Sequence, residues 1–110
     1  MRELKDIIED LLSIPYVEES TPVFDGSYAL VPWMTNGLQG DGLVRTSKTS
    51  VYIELFYTDK ADCIDSAISL WKTICATKGM TASDPDYTYE EDANMWRASI
   101  PTEIINKEEY

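Results

Sequence analysis

Ser50-Val51-Tyr52-Ile53-Glu54-Leu55-Phe56-Tyr57 runs directly into Thr58-Asp59-Lys60-Ala61-Asp62, and the fold is decided along this stretch. In its first half Val51, Ile53, Leu55 and Tyr57 alternate with Tyr52, Glu54 and Phe56, the period of two that a strand with one face in a core requires. In its second half Asp59 offers a side-chain acceptor to the free N–H groups of a first helical turn, and Asp62 sits where the helix dipole favours a carboxylate. The helix so started carries Ile64, Ala67, Ile68, Trp71, Ile74 and Cys75 at helical spacing and closes on Lys78-Gly79.

Toward the N-terminus, residues 35–47 hold Asn36-Gly37, Gly40 and Asp41-Gly42, a density of turn formers that packs no core and reads as a long, mobile hairpin arm. Residues 27–34 are apolar on both alternating sets and read as a strand partly covered on both sides. The segment 16–26 is an acidic loop that closes on Asp25-Gly26, where a glycine takes positive φ at little cost. Before it, Leu4, Ile7, Ile8, Leu11 and Leu12 recur at the spacing of one helical face, and Pro15 stops that helix near Ile14. Toward the C-terminus, 87–90 and 95–104 read as two strands, with Pro101 placed at a sheet edge or a bulge because it lacks a ladder donor. Residues 105–110 read as a charged, frayed tail.

The order α-β-β-α-β-β predicts an α+β fold, an antiparallel sheet of about four strands with two helices packed on one face. If the helices cover the face of Val51, Ile53 and Leu55, the other face presents Tyr52 and Phe56, which stay wet unless loops, a partner or a sister subunit cover them.

Composition sets the outer limits. The chain has 110 residues, 44% hydrophobic and 11% aromatic, enough for one packed core and too few for two, so residues 1–110 read as a single domain. Twenty acidic residues against nine basic ones give a net charge of -11, which repels nucleic acid and anionic lipid. The apolar run 29–34 is far shorter than the ~20 residues of a membrane span. The N-terminus becomes charged at once, without a signal-peptide pattern, so the reading keeps the protein in the cytoplasm of the cell that makes it. Cys63 and Cys75 lie on one helix about 18 Å apart, too far for a disulfide, and read as reduced, small apolar residues.

The sequence holds no histidine, which removes serine-histidine and cysteine-histidine nucleophile pairs and histidine-ligated metals. No Cys-x-x-Cys pair is present for zinc. Gly37, Gly40, Gly42 and Lys48-Thr49 miss the register of a phosphate loop. The run from Asp84 to Asp92 begins like a calcium loop, yet Tyr89 and Met95 stand where glycine and glutamate are needed. Glu90 and Glu91, neighbours in an exposed loop, lack the burial that separates two carboxyl pKa values. The sequence therefore reads as no enzyme, with no catalytic residue, cofactor, metal or small-molecule substrate.

The run Val51-Tyr52-Ile53-Glu54-Leu55-Phe56-Tyr57-Thr58-Asp59-Lys60, a strand turning directly into a helix after a glycine-rich arm, resembles the middle of the tail terminator proteins of siphophages and prophages. These are also called tail completion or head–tail joining proteins. The likeness extends by element order from Leu4 to Ile104. It implies a structural protein that caps the tail tube and receives the head connector as a hexameric ring. The implied partners are further copies of itself, the tail tube protein and head connector proteins, first in the bacterial cytoplasm and then in the virion neck. A ring subunit meets its neighbours through two different patches, for which Trp33, Arg45, Lys48, Tyr52, Glu54, Phe56 and Asp59 are the expected contact residues. Glu54 or Asp59 of one copy would face Arg45 or Lys48 of the next. The acidic balance also suits a small inhibitor of the anti-restriction or immunity type directed at a basic partner, motivated by the acidic face of the first helix and by Glu90-Glu91-Asp92.

Overall fold

The structure, a computed structural model, describes residues 4–18, 25–36 and 45–108, with the side chains of 33–36, 45–48 and 106–108 left aside. The elements are α1 (Leu4–Leu12), β1 (Ser27–Asn36), β2 (Arg45–Tyr57), α2 (Lys60–Cys75), β3 (Met80–Ala82), β4 (Asp86–Glu90) and β5 (Met95–Glu108). The named strands pair antiparallel: β1 on β2, β2 on β5, and β3 and β4 both on the far side of β5. Both helices lie on one face, so the expected α+β architecture holds.

Local chemistry explains where the elements start and stop. Asp59 caps α2 by accepting from the N–H groups of Ala61 and Asp62 at 2.8 and 3.2 Å, which satisfies donors that have no carbonyl one turn back. α1 ends at Leu12, and Ser13 turns out of it with φ 55. Gly26 takes φ 74 and its N–H reaches the Phe56 carbonyl at 2.8 Å, fixing the entry to β1 beside the exit of β2.

The main core lies between the helices and the inner sheet face. It gathers Leu4, Ile7 and Ile8 of α1, Cys63, Ala67, Leu70 and Ile74 of α2, and Tyr28, Val51, Ile53, Leu55, Ala98 and Ile100 of the sheet. Val51, Ile53 and Leu55 face inward as their alternation requires. The buried arc of α2 is turned from the expected one: Cys63 and Leu70 go inside, while Ile68 and Cys75 are exposed. The helix has apolar residues around more of its circumference than one contact can cover, so spacing alone leaves the choice of arc open.

Three further differences come from pairing between distant segments. β3 adds a fifth strand because Met80, Thr81 and Ala82 find partners in Ile104, Glu103 and Thr102. β1 and β2 take in 35–36 and 45–47, positions expected in the arm; the rest of that arm, 37–44, lies outside the described residues. β5 continues through 105–108 to pair with the start of β2, Arg45 opposite Glu108, where a frayed tail was expected.

Pro101 sits inside β5, opposite Tyr52 of β2, which corrects the expectation of a sheet edge or bulge. The position tolerates proline because its outward backbone side falls at the break between β4, whose pairing reaches Ser99, and β3, whose pairing begins at Thr102. There the Pro101 carbonyl accepts from Ser83 N–H at 2.8 Å, and no ladder donor is needed.

The segment after α1 crosses the open edge of β1. Tyr28 N–H donates to the Pro15 carbonyl at 3.0 Å, and Val17 N–H donates to the Tyr28 carbonyl at 2.8 Å. Lys5 lies over the Tyr16 ring, which leans on Tyr28, and the Tyr28 hydroxyl donates to Glu9 Oε2 at 2.5 Å. α1 is thereby tied to the sheet by polar contacts at its rim as well as by its apolar face.

Candidate assembly interface

The sheet face away from the helices carries three of the expected contact residues, Tyr52, Glu54 and Phe56. Directly opposed residues of paired strands share a face, so register writes this surface as rows. One row is Ala29, Glu54, Ser99 and Asp86; the next is Val31, Tyr52 and Pro101. Further along, Lys48 stands opposite Ile105.

The face has three zones. Nearest α2, Phe56 is fully buried in a second small core with Ala29 and Met95, flanked by Val17 and Ala93. The expectation of a wet ring at Phe56 is thus met by the chain's own loops: the segment that crosses β1 supplies Val17 and the β4–β5 turn supplies Ala93.

The middle zone is polar. Glu54 is only 8% exposed, and its Oε2 lies 3.5 Å from Arg97 Nη1 and 3.4 Å from the donating Ser99 hydroxyl. Arg97 Nη2 also pairs with Glu90 of β4. The guanidinium thus bridges two carboxylates across three strands, a use of its planar fork that a lysine could not copy. Glu54 is occupied within its own chain, which leaves it poorly placed to meet an arginine of a neighbour.

In the outer zone exposed apolar side chains alternate with polar ones, Ser50 and Glu103 lying between Tyr52 and Ile105. Tyr52 is 37% and Ile105 39% exposed, with half-buried Val31 and Pro101 beside them. A cleft of about 250 Å³ opens here between Tyr52, Pro101, Glu103, Ala82 and Ser83, at the break between β3 and β4.

Of the seven residues expected at a contact, then, Tyr52 is exposed, Phe56 is in a core, Glu54 is paired within the chain, and Asp59 is an exposed N-cap at the far end. Trp33 is the extra residue of a bulge in β1, between Pro32 paired with Val51 and Met34 paired with Ser50. The backbones of Arg45 and Lys48 lie at the N-terminal end of β2; the side chains of Trp33, Arg45 and Lys48 lie outside those described. The residues that sequence reasoning missed are Arg97, Pro101 and Ile105. Strand alternation in 95–105 places all three on this face, but their neighbours come from segments that sequence spacing does not connect.

Burial raises the pKa of Tyr57 and Tyr87, burial with the Glu9 hydrogen bond raises that of Tyr28, and burial pushes the Cys63 thiol from 9.0 up to about 11. A raised folded-state pKa means that the neutral form is held by the fold. The stability contributed by neutral Cys63 is complete below the unfolded value of 9.0 and lost as pH rises through about 11. The urea midpoint is therefore expected to hold steady from about pH 7 to 8.5 and to fall above about 9. In the native protein at pH 8, exposed Cys75 should react with a thiol reagent while Cys63 stays protected until unfolding. Equal labelling rates for the two would contradict the burial of Cys63. Among the described residues no group of three or more potential metal-ligating side chains comes together.

No family model and no curated protein matches the chain. Chains of solved structures do, 19 in number. One belongs to a structure described as "Virion of native gene transfer agent (GTA) particle". The superposition covers 96% of this chain and 92% of that chain, with a TM-score of 0.69 and 12% sequence identity. At that identity the likeness is one of fold, and it spans both chains almost end to end.

Proposed function

We propose that the chain is a structural protein of a phage-type virion and that it acts as a tail terminator. In this reading several copies, six in the family it resembles, form a ring that closes the tail tube and receives the head connector. The observation that carries the reading is the likeness in fold, nearly end to end in both chains, to a chain of a gene transfer agent virion. The sequence adds a chain without histidine, and the sheet adds exposed apolar side chains at Tyr52 and Ile105. The protein works by contact and not by catalysis; its partners are its own copies, the tail tube protein and the connector. It assembles in the host cytoplasm and ends in the virion neck.

The acidic-inhibitor reading loses part of its motif, because Glu90 is engaged by Arg97. Deleting the gene from the phage or prophage that carries it separates the two. Electron micrographs of the deletion should show filled heads without joined tails and tails of uncontrolled length, both repaired by the gene supplied in trans. Normal joined particles from the deletion would sink the terminator reading. Steeply salt-dependent binding to one basic protein would then favour the inhibitor.

A further inference from the structure

β4 is the strand with the least hold on the core. None of its five residues is buried, whereas even the three residues of β3 include buried Met80. Among the described residues β4 pairs with β5 alone. Toward the helices Tyr87 reaches the main core but stays half-buried. Tyr89 keeps its contacts within the hairpin: its ring lies 5.3 Å from that of Trp96, and its hydroxyl donates to Asn94 Oδ1 at 3.2 Å. β3 does not prop β4 from the side. The outer edge of β5 passes from one to the other between Ser99 and Thr102, and Ser83 N–H ties that break to the Pro101 carbonyl at 2.8 Å.

Charge also works against docking. Asp84, Asp86, Glu90, Glu91 and Asp92 fall within 84–92, and no lysine or arginine stands among them, so like charges crowd one short strand and its two ends. Arg97 of β5 answers them. Its Nη2 pairs with Glu90 while its Nη1 lies 3.5 Å from Glu54 of β2. Arg97 and Glu90 are 27% and 28% exposed, so their pairing is a modest attraction that solvent can replace.

We propose that β4 is a detachable edge strand latched by Arg97 on Glu90: it leaves β5 and returns while the β1, β2 and β5 ladder, both helices and the main core stay folded. Ser83, bonded to Pro101, is the fixed point at one end. At the other the 91–94 turn gives way, where Asn94 has φ 53 and the backbone bonds from Ala93 and Asn94 to Glu90 and Glu91 are long at 3.3 Å. The closed form covers the outer backbone edge of β5 from Met95 to Ser99. The open form bares it, an edge able to pair with an extended segment of another chain. No buried side chain of β4 is lost to water on opening, so the opening exposes little surface and depends weakly on denaturant. This device goes beyond the tail-terminator reading and does not rest on it.

Native-state hydrogen exchange on the whole protein, followed amide by amide by NMR in urea below the unfolding transition, tests the latch. The β4 amides bonded to β5 should exchange with a much smaller urea slope than the ladder amides of 51–56 in β2. Ile53→Val trims a fully buried side chain that stays packed in the open form. It should speed the β2 amides about threefold to tenfold and leave the β4 amides unchanged. Glu90→Gln should speed both sets about fivefold, since the ion pair exists only in the closed form. β4 amides that share the urea slope of β2, or that speed up with them in Ile53→Val, would mean that β4 leaves only when the whole protein unfolds, and the proposal falls. Wild-type β4 rates in Glu90→Gln would overturn the latch as well.

Discussion

Phe56→Ala is expected to cost about 3–5 kcal/mol of folding stability, the range for truncating a fully buried aromatic ring. Phe56 faces away from the helices, so its burial depends on a small core of Ala29 and Met95 closed by Val17 and Ala93. The cavity left by alanine cannot be refilled from the main core, because the sheet itself lies between. Urea unfolding followed by tryptophan fluorescence measures the loss. A cost below about 1 kcal/mol would mean that water already reaches the ring. The same variant should loosen the segment that crosses β1, since Val17 packs on that cluster, and the amides near Tyr28 should exchange faster.

Arg97→Leu should destabilise by about 2–4 kcal/mol, less than the loss for a fully dry ion pair because the arginine side chain is 27% exposed. The cause is what remains behind. Glu54, only 8% exposed, loses the guanidinium that lay 3.5 Å from its Oε2, and Glu90 loses its cation across β4. Pairing the change with Glu54→Leu should recover part of the loss, since it removes the more buried of the two carboxylates while Glu90 stays without its cation. A double-mutant cycle of urea midpoints measures the coupling. Additive costs would mean that the two side chains do not act on each other.

The parts of this fold legible in the sequence are those whose causes are local. The alternation of Val51, Ile53, Leu55 and Tyr57, the face of Leu4, Ile7 and Ile8, and the Asp59 cap each lie within one or two turns of chain. The sidedness of Tyr52, Glu54 and Phe56 was legible too. What covers each of them was not, because the covers come from Val17, Ala93 and Arg97, which no spacing rule connects to β2. The three residues of β3 are too few for a period and are a strand only because β5 stands beside them. Pro101 shows the limit of a rule applied to one strand: edge and centre are properties of the neighbours, and β5 changes neighbours between Ser99 and Thr102.

A sheet that ends in a bare strand is a template for the next strand from any chain, and growth from it need never stop. In this protein that template is interrupted by the chain's own N-terminal segment, which takes up both edge groups of Tyr28, and by Pro32, which offers no donor further along the same edge. Accretion of backbone on backbone is thereby discouraged, and association falls to side chains that meet at a set angle. In the ring proposed for it, a subunit would have to stop after a set number of copies, and denying fibre growth at β1 would serve that as much as the contact that closes.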